Sequence, residues 1–226
     1  MSATNLFSRL KVRCEDDWAA YCGHPFVAGI ADGSLAEAAF RHYLIQDYLF
    51  LIQFARAYAL AAFKADTIAD MRAATATLAA ILDTEMTLHV GYCADWGLSE
   101  AEMAAAPEAL ETTAYTRFVI DRGLAGDSLD LLVALSPCVL GYGEIGRRLA
   151  ADPKTSTDGN RYASWIEMYA GDEYPAVCAD AAAQLDRLGA ARGAEARFES
   201  LAGTFAQATR LEIAFWEMGW AKRDDS

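Results

Sequence analysis

Apolar residues recur along this chain every three or four positions almost from end to end, the spacing that gathers them on one side of an α-helix. The clearest run is "FRHYLIQDYLFLIQF", residues 40–54. Phe40, Tyr43, Asp47, Phe50, Phe54 and Tyr58 follow one another in steps of 3, 4, 3, 4 and 4. At about 100° per residue they fall within roughly a quarter-turn of each other. The pattern predicts helices at roughly 4–22, 35–65, 67–95, 99–106, 110–123, 128–150, 159–187 and 193–222. Breaks are expected at "HPF" (24–26), "DGSLAEAAF" (32–40) and "ADPKTSTDGN" (151–160). Ser34 with Glu37, and Ser99 with Glu102, have the spacing of capping boxes. No Asn-Gly or Asp-Gly hairpin separates alternating strands, and Ala and Leu abound. The fold class is therefore all-α, a compact multi-helix bundle over residues 1–226 as a single domain, with small-molecule chemistry expected between helices.

Against this pattern four polar features stand out. Asp47 sits on the aromatic face of its helix and needs a partner inside the protein. In "FAQATRLEIAFWEMGW" (205–220), Glu212 shares a face with Phe205, Phe215, Trp216 and Gly219, while Glu217 points away. A carboxylate buried without a partner costs several kcal/mol, and its pKa rises. Each acid alone also fits a structural salt bridge or a helix–helix hydrogen bond; together they suggest one shared polar pocket. "LSPCVLGYGEIG" (135–146) places Cys138 and Tyr142 on one face, four residues apart, after a kink or helix start at Pro137. A thiol there is either a small buried hydrophobe or a nucleophile, since the thiolate is the reactive form. Cys14 precedes an acidic run that disfavours a thiolate. Tyr115, and Tyr169 four residues after Trp165, are rings with polar tips, as suited to a core as to the slot of a flat heteroaromatic ligand.

Composition narrows the choices. With 226 residues and 54% hydrophobic content the chain can bury a substantial core. Its formal charge of −13, with no basic stripe, argues against binding nucleic acid or an anionic membrane surface. The N-terminal stretch lacks the apolar centre of a secretory signal, and the longest uncharged stretches are too short and too broken by Gly and Pro to span a bilayer. Five cysteines with no C-x-x-C speak against a disulfide framework or zinc ribbon, so a cytoplasmic location is expected. Metal is not expected either. Of three histidines, only His89 stands in register with an acid, Glu85 in "EMTLH", and the Glu-x-x-His repeat of di-iron bundles is absent. Glu85 and His89 are read as structural, through a helix–helix hydrogen bond or a bond within the pair.

With these pieces placed, the chain resembles the thiaminase II (TenA) family of the heme-oxygenase-like superfamily. The resemblance runs through "HPFVAGIADGSLAEAAFRHYLIQDYLF", "TEMTLHVGYCADWGLS", "AYTRF", "PCVLGYGEIG", "YASWIEMYAGDEY" and "LEIAFWEMGW", in that order. It implies a homotetramer that hydrolyses 4-amino-5-aminomethyl-2-methylpyrimidine to the hydroxymethylpyrimidine reused for thiamin, with no cofactor and no metal; many members also cleave thiamin. The family's aspartate falls on Asp47, its nucleophilic cysteine on Cys138 and its glutamate on Glu212. Its pocket tyrosines fall on Tyr115, Tyr142 and Tyr169. A further family tyrosine is Phe50 here, so one hydroxyl is missing from the pocket. On this resemblance Asp47 is ionised and accepts from the substrate's amino group. Glu212 protonates a ring nitrogen, Cys138 attacks the ring, and Tyr142 orients the thiol or bonds Glu212. Three rivals remain: a metal-dependent oxidase on the same scaffold, a non-catalytic sensor of thiamin-related pyrimidines, and a family enzyme with another amine or pyrimidine substrate.

Overall fold

The computed structural model describes residues 5–156 and 158–223, and among them every regular element is a helix. The order is α1 (Leu6–Arg13), α2 (Glu15–Cys22), α3 (Pro25–Asp32), α4 (Glu37–Lys64), α5 (Ile68–Ala79), a π-helical segment (Ala80–Glu85) and α6 (Met86–Asp95). Then follow α7 (Glu100–Ala105), α8 (Leu110–Ala125), α9 (Ser128–Ala151), α10 (Ala163–Ala170), α11 (Tyr174–Ala191), a 3-10 turn (Ala194–Arg197) and α12 (Phe198–Trp220). Helices α4, α8, α9 and α12 all pack on one another, and the remaining helices cover that centre.

The boundaries differ from the periodic reading in instructive places. The first expected helix is two: Cys14 leaves helical geometry at φ −124°, and its thiol reaches the Ala202 carbonyl at 3.6 Å. Glu15, Asp16 and Asp17 then occupy the first turn of α2, where the helix dipole favours acids. Position 4, the expected start, lies outside the described residues. The break expected at "HPF" falls at Gly23 and His24, and Pro25 and Phe26 already open α3: Pro25 takes the first helical position, where its missing N–H costs nothing, and His24 Nδ1 accepts the Phe26 N–H at 3.1 Å. The expected Ser34–Glu37 capping box does not form. Gly33 closes α3 at φ +78°, Asp32 Oδ1 takes the Ser34 N–H at 2.9 Å, and α4 starts behind Ala36 with no side-chain cap. Ser99–Glu102 does form its capping box on α7. The 159–187 helix divides at Gly171 into α10 and α11.

Helix α9 carries Pro137 in its interior rather than at an end. A mid-helix proline leaves the carbonyl four residues back without its amide donor. Here the Ser136 hydroxyl donates to that carbonyl, Val133, at 2.9 Å, so the helix continues. By length and hydropathy α9 is apolar enough to cross a membrane, but 72% of its most apolar window is buried within the bundle. Its glycines permit close packing. A Cβ on Gly146 would stand 2.5 Å from the Tyr169 carbonyl carbon, and one on Gly141 would stand 2.2 Å from the Tyr21 ring. Thus α2 and α10 approach α9 at a range no larger residue tolerates.

Candidate active site

The four central helices, with α10, bring the residues singled out above together. Helix α4 supplies Asp47 and Phe50, α8 supplies Tyr115, α9 supplies Cys138 and Tyr142, α10 supplies Tyr169, and α12 supplies Glu212. The charges of Glu212 and Asp47 both act on the Cys138 thiol, and that of Asp47 acts on Glu212, so the three share one electrostatic neighbourhood. Rings wall it. Phe50 lies 5.1 Å from Tyr115 and 5.7 Å from Phe215, between centroids, and Tyr142 lies 4.9 Å from Tyr169 and 5.3 Å from Trp216. Solvent still reaches half-buried Asp47 and Cys138, whereas Glu212 is 2% exposed. A surface hollow of about 280 Å³ beside Cys22, Arg147, Arg148 and Asp152 shares no residue with this site.

No lysine or arginine contributes to the titration of any acid here, and burial therefore dominates each. It pushes Glu212 up to about 8, against the stabilising hydroxyls of Tyr115 and Tyr21 and with the charge of Asp47 adding to the rise. Tyr115 donates to Glu212 Oε1 at 2.8 Å. Asp47 is pushed up to about 7 by burial alone, so near neutrality it is divided between its two forms rather than fully ionised. The Cys138 thiol is driven well above its ordinary value, by burial first and then by Glu212, Asp47 and Glu85. At neutral pH it is a thiol.

Two sequence expectations need correction. Glu212 takes its hydrogen bond from Tyr115, not Tyr142, whose hydroxyl lies 3.5 Å from that of Tyr43. Glu85 and His89 do not bond each other. His89 donates from Nε2 to the Leu44 carbonyl at 3.0 Å and places Nδ1 3.5 Å from Asp47 Oδ2. Glu85 ends the π-helical segment, and among the described residues none donates a hydrogen bond to it. It is open to solvent yet ringed by protein: burial pushes its carboxyl up to about 7, the charge of Asp47 adding to the rise. Its charge in turn reaches Cys138, Tyr58, Tyr169 and Tyr174. It is therefore a third acid of the site. The i, i+4 register of Glu85 and His89 was the visible signal; that both face α4 was not. Among the described residues no three His, Cys, Asp or Glu side chains are grouped as metal ligands.

Comparison with known proteins gives a consistent set. The family model described as TENA/THI-4/PQQC matches residues 13–222. An aminopyrimidine aminohydrolase of Halalkalibacterium halodurans is 37% identical over 208 residues, 91% of each chain. A crystal structure described as a TenA family transcription regulator, from a Silicibacter species, is 47% identical, covers 97% of this chain and 99% of its own, and superposes with a TM-score of 0.89. A domain with a heme oxygenase-like fold from Shewanella denitrificans superposes with a TM-score of 0.75 at 13% identity over 95% of this chain and 92% of its own, which bears on the fold alone.

Proposed function

The chain belongs to the TENA/THI-4/PQQC family, and on that premise we propose that it hydrolyses 4-amino-5-aminomethyl-2-methylpyrimidine to ammonia and the 5-hydroxymethyl pyrimidine, for thiamin salvage. Thiamin is a second substrate in this reading. The relatives named aminopyrimidine aminohydrolase support it. The observation that carries it is a buried glutamic acid, Glu212, held protonated near neutral pH beside a thiol and a second acid in one aromatic-walled site.

The roles follow from the charges. The ring lies among Phe50, Tyr115, Tyr142 and Tyr169, with Asp47 accepting from its amino edge. Glu212, protonated below about pH 8, gives its proton to a ring nitrogen and makes the ring electrophilic. Cys138 adds to a ring carbon as its proton leaves. The C–N bond of the aminomethyl group then breaks and ammonia departs with the electron pair. Water adds to the exposed methylene, the Cys138–carbon bond breaks, and the aromatic ring is restored. The proton given up by the thiol ends on ammonia, the proton lost by water restores the Cys138 thiol, and Glu212 takes back the ring proton, so the sum is the substrate's ammonium form plus water to alcohol plus ammonium ion. One hard displacement is thereby divided into easier steps.

The raised thiol pKa is compatible with this order. Burial first, and then the charges of Glu212, Asp47 and Glu85, keep Cys138 a thiol. A substrate whose aminomethyl group arrives as an ammonium offsets the charge of the acids and so favours the thiolate when there is something to attack. The net charge of −13 also favours arrival of a cation and disfavours DNA. The same reading takes the chain as one functional unit, cytoplasmic, free of metal and cofactor, and homotetrameric; Phe63 and Leu110, 83% and 84% exposed, are surfaces that assembly would cover.

The test is a panel of thiamin, the aminomethyl pyrimidine and its formyl derivative, followed by mass spectrometry with wild type and Cys138→Ser. Serine is expected to lower turnover by more than about 100-fold while the product pyrimidine still binds. Hydrolysis at a near wild-type rate would remove Cys138 as the nucleophile.

A further inference from the structure

Asp47 presents a difficulty that the roles above do not resolve. To receive the amino edge of a ring it must turn an oxygen free of any proton towards it, yet burial leaves the group divided between acid and carboxylate near neutrality. The geometry around His89 supplies an answer. The Leu44 carbonyl can only accept, so the 3.0 Å contact requires the proton of the neutral imidazole to sit on Nε2. That leaves Nδ1 with a lone pair, 3.5 Å from Asp47 Oδ2. Two lone pairs facing each other repel; one proton between them turns the contact into a hydrogen bond. Both side chains are held largely inside the protein, with 10% and 14% of their surfaces exposed.

We propose that His89 is the positioning residue of Asp47: fixed by the Leu44 carbonyl, its Nδ1 takes the one proton of the pair on the Oδ2 side and keeps Oδ1 an acceptor for the substrate. The pair works in either microstate, Oδ2–H to Nδ1 or carboxylate to imidazolium. Oδ1 is free of the proton in both. The other titratable groups whose fields meet Asp47 are Tyr43 on α4, Glu85 at the end of the π segment, Cys93 on α6, Cys138 and Tyr142 on α9, Tyr169 on α10 and Glu212 on α12. None of these is a cation, and His89, although burial lowers its own pKa, is the basic side chain that lies against Asp47. This inference rests on the reading of Asp47 as the group that receives the pyrimidine.

Two measurements decide it. In calorimetry with the 5-hydroxymethyl pyrimidine between pH 6 and pH 8, the ratio of His89→Leu to wild-type Kd is expected to grow about tenfold as pH falls across the Asp47 titration. His89→Gln, whose amide can donate to Leu44 and accept from Asp47, is expected to hold a constant ratio. A constant ratio for leucine as well, or failure of glutamine to restore it, would overturn the proposal. The second measurement needs no ligand. Nitrogen NMR of the wild-type imidazoles, assigned by removing His24 and His42 in turn, should show His89 protonated at Nε2, with Nδ1 shifted by Asp47→Asn. A proton resting on Nδ1 with Nε2 bare would refute it. If wild type binds no pyrimidine at any pH the functional reading fails, while the NMR result still decides the His89–Asp47 pairing.

Discussion

Two groups of acids in this molecule have opposite fates. At the start of α9, Asp127 lies against Arg197 at 2.8 Å and Arg192 at 3.6 Å, and Asp130 meets Arg197 at 3.3 Å. Burial works against the Asp127 charge, but Arg197 and the backbone N–H groups of Asp130 and Leu129 outweigh it, and its pKa falls. Around Cys138, Asp47, Glu85 and Glu212 have no arginine or lysine among the causes of their titration, and all three rise. The same side-chain chemistry gives a fixed anion in one place and an exchangeable proton in the other. What differs is the supply of cations. A site that withholds them keeps its acids titratable near neutrality and leaves room for a cation to arrive from outside.

Replacing Glu212 by glutamine strikes the contrast hardest, since it removes the proton but not the shape. Turnover is expected to fall by about 10²–10⁴-fold, the worth of a general acid, in steady-state assays at pH 7. Next, Asp47→Ala should weaken pyrimidine binding by roughly 1.5–3 kcal/mol in calorimetry, the scale of a charged hydrogen bond. Unchanged affinity would take Asp47 out of the site.

Stability against pH gives a subtler separation. An acid whose folded pKa is raised binds its proton more tightly when folded, so its contribution to stability declines as pH climbs from its unfolded value to its folded one. For Glu212 that window runs from the ordinary carboxylate range to about pH 8. Melting of the empty protein should therefore fall across it, and Glu212→Gln should flatten the fall. Asp127 has the opposite sign: its stabilisation is present above the unfolded carboxylate pKa and disappears as pH drops through the lowered one. Arg197→Ala should cost about 1 kcal/mol at neutral pH, and less in acid. The smallest expected change is Phe50→Tyr, which returns a hydroxyl to the ring wall. One neutral hydrogen bond predicts a gain of about 2–10-fold in kcat/KM for the aminomethyl pyrimidine.

Much of this was readable from the chain because a buried acid on a helix betrays itself by its neighbours. Asp47 among Phe40, Tyr43 and Phe50, and Glu212 among Phe205, Phe215 and Trp216, break a periodic apolar face, and periodicity is what a sequence states most plainly. The partners were less legible. Periodicity tells which side of a helix a residue occupies but not which neighbour meets that side, so the bond to Glu212 was expected from Tyr142 and came from Tyr115. Of the two readings of His89, the bond to another helix holds and the bond to Glu85 does not, and the sequence does not tell that the helix it meets is the one bearing Asp47. The π-helical segment just before it adds to the difficulty, because an inserted turn shifts the phase of everything that follows. Caps misled for a local reason: Asp32 claimed the Ser34 amide before α4 could use it, and proline at the first turn of α3 began a helix where a break was expected.

The glycines of α9 bear on how such a site can change over generations. Gly141 and Gly146 let Tyr21 and the Tyr169 backbone come so near that even one added methyl group would collide. The wall bearing the thiol consequently has little room to change in this fold, a casting rather than an assembly. A lineage that adopts a bulkier or differently substituted ring must find its space elsewhere, among side chains that meet other side chains. Phe50 on α4, bounded by the rings of Phe54, Tyr115 and Phe215, is the sort of position where that history would be written.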